Sequence, residues 1–585
     1  MIFTLPGSLK WLQTNRGDFD GFMWSSHNLD TQFNHGKAKT ANRLKVNLDS
    51  VSDADLSTPV GFVFHHSKWW TSAGQYLFNN DGTATGTFVQ DTTTNTPNMG
   101  ADVSIYSDII SFPISATVSW LIVSSQLDLF RKQGTSDWDA STWWQTTLSQ
   151  AALGTFPHPM EISRIGAEKL LIGDGPNLRI ITQASAVSTL ALGVNQRIKW
   201  IKSGATRIWI GCVGVVGSGR GMEEGLIYEW DGSSTLPNRS YRTGCIGTYA
   251  GILKDEVPYA TMADGQIKAY SGGEFVRVAA FANYYSGQPF KGVYDPGSSS
   301  AANTNFIHPN GMQIVGGEIT LLISNELLDG TFHERVPAGL WKLDDNGLHH
   351  VMPLSVSNSV DYGILAIKSG TNTTVPSVGG IKETQQTGSS LFAGGTYDNV
   401  SLAIKSAIFH ESSSDNKRSI LTTPFFKSPS ILSNWQTFFL KHKKNQSATF
   451  VVKARNGVDT PITGAVTWSS TTQFTSSSDL STVSVGDEVL ILSGAGAGTT
   501  VHITAISYSN PTYTVTVDEA ALVSATNQSR VLITNWTKIS SKTDTGFVSD
   551  FPLTKMSASP SIQGRVEIRG STELEEFITE GEKQQ

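Results

Sequence analysis

The chain has 585 residues, of which 16% are charged and 39% hydrophobic, with 55 glycines and a formal net charge of -7. That length exceeds one hydrophobic core, and so little charge with so much glycine is the balance of an all-β protein with many turns. A mildly negative chain of 63.1 kDa is not a dedicated nucleic-acid binder, which carries a strong basic excess.

Residues 1–58 are polar and irregular, yet they hold Phe3, Trp11, Phe19, Phe22, Met23 and Trp24. So many large apolar side chains would not stay in water, so the segment is expected to be an extended arm packed on the main domain or on a neighbouring subunit. It lacks the basic start and apolar run of a secretory signal. No later apolar run reaches the roughly 18 residues of a spanning helix, so no membrane anchor is expected.

Strands are expected from about residue 59. Tyr76-Leu77-Phe78 runs into Asn79-Asn80-Asp81-Gly82. Val118 to Val123 and Leu127 to Phe130 follow, then Leu170-Leu171-Ile172 before Gly173-Asp174-Gly175. Gly225 to Gly232 is the clearest unit: Leu226, Tyr228 and Trp230 alternate with Ile227 and Glu229, and Asp231-Gly232 supplies residues that accept a positive φ. The pattern returns at Gly265 to Tyr270 before Ser271-Gly272-Gly273, and at Gly339 to Leu343 before Asp344-Asp345-Asn346-Gly347. A polar loop is expected near 283–310. A hairpin repeating at intervals of roughly 40 to 75 residues marks a repeat architecture, and the expectation for 59–424 is a degenerate β-propeller of about six or seven blades.

The texture changes near Pro424. Trp435 to Leu440 and Thr449 to Val452 predict a β-sandwich over 425–464 and 526–572. Within it, Val485 to Leu492, Val501 to Ile506 and Thr512 to Asp518 predict an inserted small β-barrel over 465–525. Residues 573–585 read as an acidic tail, frayed in water.

The motifs argue against familiar chemistry. Gly214 to Gly221 lacks the Lys-Ser/Thr and the following helix of a phosphate loop, and Gly494 to Gly498 lacks a lysine. His65-His66 and His349-His350 are tandem, so on a strand each pair splits between two faces and cannot hold one metal. Trp138-Asp139 and Trp230-Asp231 lack the partners of a WD repeat, and Asp345 to Leu348 lacks the Ser or Thr of a sialidase Asp box. Cys212 and Cys245 read as small apolar strand residues. The expectation is a non-enzyme without cofactor or metal. The best surface candidates are Trp69-Trp70 and Trp143-Trp144, because adjacent strand residues cannot both face one core; exposed, they would be stacking platforms for sugars or contact residues.

The arm segment Trp24 to Thr31, the hairpins above, Trp435 to Arg455 and Arg565 to Ser571 give the chain a texture similar to tail proteins of tailed bacteriophages, in particular the tail nozzle class of short-tailed phages. The resemblance implies a structural virion component, made in the host cytoplasm and built into the tail as a ring with itself and other tail proteins, without catalysis. The alternative is a propeller that recognises host surface glycan; a glycan-degrading enzyme comes third.

Overall fold

The computed structural model describes residues 2–4, 25–27, 29–34, 37–40, 43–49, 61–73, 76–80, 87–93, 108–124, 129–134, 136–138, 158–163, 165–215, 224–280, 307, 309–323, 339–344, 347–352, 378–384, 390–398, 401–402, 404–412, 418–427, 433–443, 448–457, 462–496, 499–521, 523–544, 546, 548–570 and 572–583. Among these residues every regular element is a strand, apart from one 3-10 turn at Pro309–Gly311.

Seven small antiparallel sheets follow one another along the chain. Sheet one is Gly61–His65, Lys68–Ala73, Tyr76–Asn79 and Val89–Gln90. Sheet two is Asp108–Pro113, Ser119–Ser124 and Leu129–Gln133. Sheet three is Met160–Ser163, Lys169–Asp174, Asn177–Thr182 and Val187–Ala191. Sheet four is Gln196–Ser203, Ile208–Gly214, Leu226–Trp230 and Arg239–Arg242. Sheet five is Thr248–Lys254, Val257–Met262, Gln266–Ser271 and Glu274–Ala280. Sheet six is Met312–Val315, Glu318–Ile323, Gly339–Asp344 and Gly347–Met352. Sheet seven takes Val378–Thr384, Ser390–Asp398 and Ile404–Ser412, and its fourth strand, Arg43–Asp49, comes from near the start of the chain.

The leading strand of each sheet touches the leading strand of the next, and Val378–Thr384 touches Gly61–His65, which closes the cycle. The side chains follow the same order. Ile408 of sheet seven packs with Phe62 and Trp69 of sheet one. Trp70 and Leu77 on the other face of sheet one meet Ile109 and Val123 of sheet two. Sheets two and three share Phe112, Leu129 and Leu170, and sheets three and four share Leu171, Ile198 and Ile210. Trp200, Trp209 and Met262 join four to five; Ile252, Met312 and Trp341 join five to six. Sheets one to five therefore each bury both faces, and period-two alternation sends their large residues to two cores.

The tightest joint shows how close the sheets come. The Trp200 indole lies against Gly211 in its own sheet and Gly251 in the next, where an added Cβ would sit 2.1 and 2.5 Å from the ring. Its Nε1 donates to Thr248 Oγ1 at 3.0 Å. Only glycine leaves room for the slab-like ring at both positions.

Turn chemistry is mixed. Ser271-Gly272-Gly273 forms the expected tight hairpin, with φ of +63° and +101° at the two glycines. Asp231-Gly232 does not join two strands directly. The next strand starts at Arg239, and the Asp231 carboxylate organises the loop by accepting the N–H groups of Ser233 and Ser234, both at 2.8 Å. Those donors hold its pKa below the usual carboxylate value.

Two further sheets share one core. Sheet eight has the order Leu29–Asn34, Lys37–Thr40, Glu573–Lys583, Ser433–His442 and Val548–Pro552, with Ile2–Thr4 also on Glu573–Lys583. Sheet nine has the order Ser25–His27, Arg418–Lys427, Ser561–Gly570, Ala448–Arg455 and Thr537–Asp544. Phe438 and Phe577 from sheet eight meet Phe450, Val566 and Ile568 from sheet nine. The Arg418–Lys427 strand of sheet nine begins inside the stretch that the sequence assigns to the repeat region.

The acidic segment 573–585 corrects an expectation. Glu573–Lys583 is a strand with neighbours on both edges, and Leu574 and Phe577 are fully buried on it. Two apolar anchors and a paired backbone outweigh its glutamates. The arm also takes a definite form: its five described strands are shared among sheets seven, eight and nine.

A closed barrel of six strands lies between two paired strands of sheet nine. Its order is Ile462–Ser470, Gln473–Ser476, Thr512–Val517, Thr500–Ser509, Glu488–Gly494 and Gln528–Thr534. Trp468 and Phe474 fill it, and Trp468 Nε1 donates to Ser529 Oγ at 2.9 Å. Buried charge docks the barrel on sheet nine. Glu488 of the barrel meets Lys453, and Arg565 Nη1 at 2.7 Å. Thr500 of the barrel donates to Glu567, which Lys453 also approaches at 3.5 Å. Arg455 and Arg565 each lie 4.3 Å from the Trp536 ring.

Candidate functional site

The leading strands of the first sheets line a half-open cavity of about 750 Å³. Its polar wall is made by Asp108, Glu161, Lys202, Glu256, Asn310 and Gln313, and its apolar wall includes Phe62, Ile109 and Met160. Six separate stretches of chain bring these groups together, and no spacing in the sequence announces them.

Asp108 opens the leading strand of sheet two and is buried. Its Oδ2 accepts the Met160 N–H of sheet three at 2.8 Å. Its Oδ1 accepts Asn310 Nδ2, from the turn before sheet six, at 2.8 Å, and the Ile109 N–H at 2.8 Å. Gly61 stands beside it; a Cβ there would meet Asp108 Oδ1 at 3.3 Å and Ile109 Cγ2 at 2.9 Å. Burial raises the carboxyl pKa, opposed by these three donors and by Lys202. Asp108 thus bolts three sheets together across the cavity.

The rim carries charge, partly covered at Lys202 and Glu161 and exposed at Glu256. Lys202 Nζ lies 3.4 Å from Glu161 Oε2, and Glu256 Oε2 accepts the Ala205 N–H at 2.8 Å. A second buried group sits nearby: His65 Nδ1 is 2.9 Å from Ser111 Oγ, and burial, with His66 and Lys132, lowers its pKa to about 4. These groups suit a polar, hydrogen-bonding cavity. Among the described residues no cluster of three His, Cys, Asp or Glu converges on a metal position.

The tryptophans expected at the surface are elsewhere. Trp69 and Trp70 are each 4% exposed. Their side chains do point to opposite faces, but both faces are covered, by sheet seven through Ile408 and by sheet two through Ile109 and Leu121. Neither can serve as a platform. Trp143 and Trp144 lie outside the described residues, as do most of the Gly214 to Gly221 loop and Asp139. Trp138 is buried and its Nε1 donates to Asp91 Oδ2 at 2.9 Å; Trp230 ends its strand and donates to the Ser234 carbonyl at 2.7 Å. Cys212 is buried among Ile198, Ile210 and Tyr228, and burial holds its thiol far above the ordinary value. Cys245 is half-buried, and both thiols are free.

Asp108→Ala would leave the Met160 N–H and the Asn310 amide without their acceptor inside the ring. The expected cost is about 2–4 kcal/mol. Urea unfolding should show a lower midpoint for the variant; an unchanged midpoint would mean that the three bonds to Asp108 contribute nothing net.

No family model and no curated protein matches the chain. Solved structures with a similar fold include a streptogramin B lyase, 11% identical over 64% of this chain and 98% of that one, with a TM-score of 0.36. Others are BBS1N, crystallised in complex with ARL6DN, at 10%, 64%, 98% and 0.34, and YCF48 from Cyanidioschyzon merolae at 8%, 63%, 98% and 0.34. At this level of similarity none of their activities carries over.

Proposed function

We propose that this chain is a structural subunit of a bacteriophage tail, a nozzle or tail-tip component that assembles as a ring with itself and with other tail proteins. In this reading the seven cyclic sheets are the blades of a seven-bladed β-propeller. Sheets eight and nine form a β-sandwich, and the barrel is an insertion into it. The protein needs no cofactor, and its place is the virion.

The observation that carries the reading is the way the modules are tied. Strands from residues 2–49 complete sheets from both the propeller and the sandwich, and buried ion pairs fix the barrel to the sandwich. A body cross-linked by distant parts of one chain resists relative domain motion, which a tail subunit under load requires. A mildly negative subunit also avoids gripping DNA that passes it.

Light scattering across a concentration series, with negative-stain imaging, tests the proposal. A species many times 63.1 kDa with ring-shaped particles is expected. A monomer at every concentration, with no rings in the images, would overturn the self-assembly on which the reading rests.

A further inference from the structure

Burying a carboxylate is costly unless a cation answers it. Six of the buried carboxylates among the described residues keep that rule. Asp91 has Lys132, Asp174 has Arg179, Glu229 has Arg207 and Glu573 has Lys443. Glu488 has Lys453 and Arg565, and Glu567 has Lys453 and Arg569. Asp108 is the exception. It is 8% exposed, and no Lys, Arg or His among the described residues forms an ion pair with it. Its three donors, the Ile109 and Met160 N–H groups and the Asn310 amide, are all neutral.

This one unanswered carboxylate lines the half-open cavity, where the missing Cβ of Gly61 leaves space 3.3 Å from its Oδ1. The rest of the lining tilts the same way. Lys202 is the one basic side chain there among the described residues, and it lies against Glu161 at 3.4 Å. Glu256, at the exposed rim, accepts the Ala205 N–H but has no base beside it among the described residues. Its place is built: a Cβ on Gly204 would sit 2.3 Å from Glu256 Oε2, so that carboxylate lies where only glycine leaves room. Three acids therefore face one base, with Asp108 buried, Glu256 at the mouth, and Phe62, Ile109 and Met160 supplying apolar wall.

We propose that this cavity binds a linear aliphatic polyamine, with one ammonium group beside Asp108, another at Glu256, and the methylenes between them along the apolar wall. The chemistry selects the class. An anion would meet an excess of carboxylates, and a neutral ligand would leave Asp108 unanswered. A divalent metal needs several oxygen ligands converging at about 2.0–2.6 Å, and among the described residues no three acidic or His side chains converge. A quaternary ammonium is held by a cage of aromatic rings, and Phe62 is the one aromatic in this lining. A polyamine carries its charges apart, each ammonium with donors for a carboxylate, and its stem buries against aliphatic side chains. A cavity of about 750 Å³ is of the size that encloses a small organic ligand. The proposal does not rest on ring assembly, because every group in it belongs to one chain.

Isothermal titration calorimetry of the full chain with spermidine and with spermine tests it, at about 0.15 M salt so that loosely held surface counterions are screened. Saturable binding of at least one of the two, one per chain and with Kd below about 1 mM, is expected. Glu256→Gln keeps the side chain's shape and should weaken that binding at least tenfold. Glu274→Gln, an exposed acid on the outer strand of sheet five, removes the same charge far from the cavity and should leave it unchanged. Asp108→Asn should abolish it; should that variant fold poorly, the Glu256 and Glu274 pair still decides. No saturable binding of either amine would overturn the proposal. So would Glu256→Gln binding like wild type, or Glu274→Gln weakening binding as much as Glu256→Gln, which would mean diffuse attraction to an acidic chain.

Discussion

Glu488→Gln is expected to cost the protein about 3–5 kcal/mol at neutral pH, because it removes one anion from a dry cluster and leaves Arg565 without its carboxylate and Lys453 with Glu567 alone. Glu488, Lys453 and Glu567 are completely buried, and Arg565 is 4% exposed. Glutamine keeps the shape, so the loss reports charge rather than packing. Urea unfolding followed by tryptophan fluorescence should show the barrel releasing from sheet nine at lower denaturant, since Trp536 sits under Arg455 and Arg565. The effect should also depend on pH. Burial alone would raise the Glu488 pKa, but Lys453 and Arg565 hold it below its ordinary value. A carboxylate with a depressed folded pKa stabilises above its unfolded pKa, about 4.3, and loses that contribution as pH falls through the folded value. The gap between wild type and Glu488→Gln should therefore be full at pH 7 and close in acid. A constant gap at all pH values would mean that Glu488 is not the charge that holds the barrel.

Deleting residues 1–49 should have the second large effect. The deletion strips Arg43–Asp49 from Ile404–Ser412, where six residue pairs run from Ala407–Asp49 to Ser412–Arg43. At roughly 0.5–1.5 kcal/mol net per backbone bond, and about one bond per residue pair, sheet seven alone loses about 3–9 kcal/mol. Ile404–Ser412 becomes an unpaired edge in the last sheet of the cycle. Hydrogen exchange is the measurement. Amides of Ile404–Ser412 that pair with the missing strand should exchange orders of magnitude faster, and sheets eight and nine should soften as well, having lost their outer strands. Unchanged protection at 404–412 would show that the ring closes without the N-terminal strand.

Much of the β content was legible because it is local. Alternation in Leu226 to Trp230 and the double glycine at Gly272-Gly273 depend only on neighbours in sequence. What depended on distant chain was not. The strand Arg43–Asp49 gives no local sign that its partner lies at Ile404–Ser412. Trp69 and Trp70 were misread for a related reason: alternation tells that two side chains diverge, but not that both faces are covered. The tail strand Glu573–Lys583 was hidden by its glutamates, since propensity and charge do not register Leu574 and Phe577 finding a core made by Phe438 and Phe450. The cavity was the least legible part. Asp108 carries no local mark in the sequence, and only the closed cycle brings Met160 and Asn310 to it.

The position of the barrel has a consequence for how such a chain can change over time. Ala454 and Thr537, which flank the barrel in sequence, sit opposite each other in sheet nine. The chain leaves and returns at nearly one point, so the whole barrel is a cassette that recombination could exchange without disturbing the sheet beneath. The outer surface would then diversify rapidly on an unchanged frame. One condition limits the traffic: a replacement must bring its own anion to meet Lys453 and Arg565, or arrive together with changes that remove them. Homologous chains should accordingly vary most across the barrel's outer strands while the acid at position 488 and the bases at 453 and 565 come and go as a set.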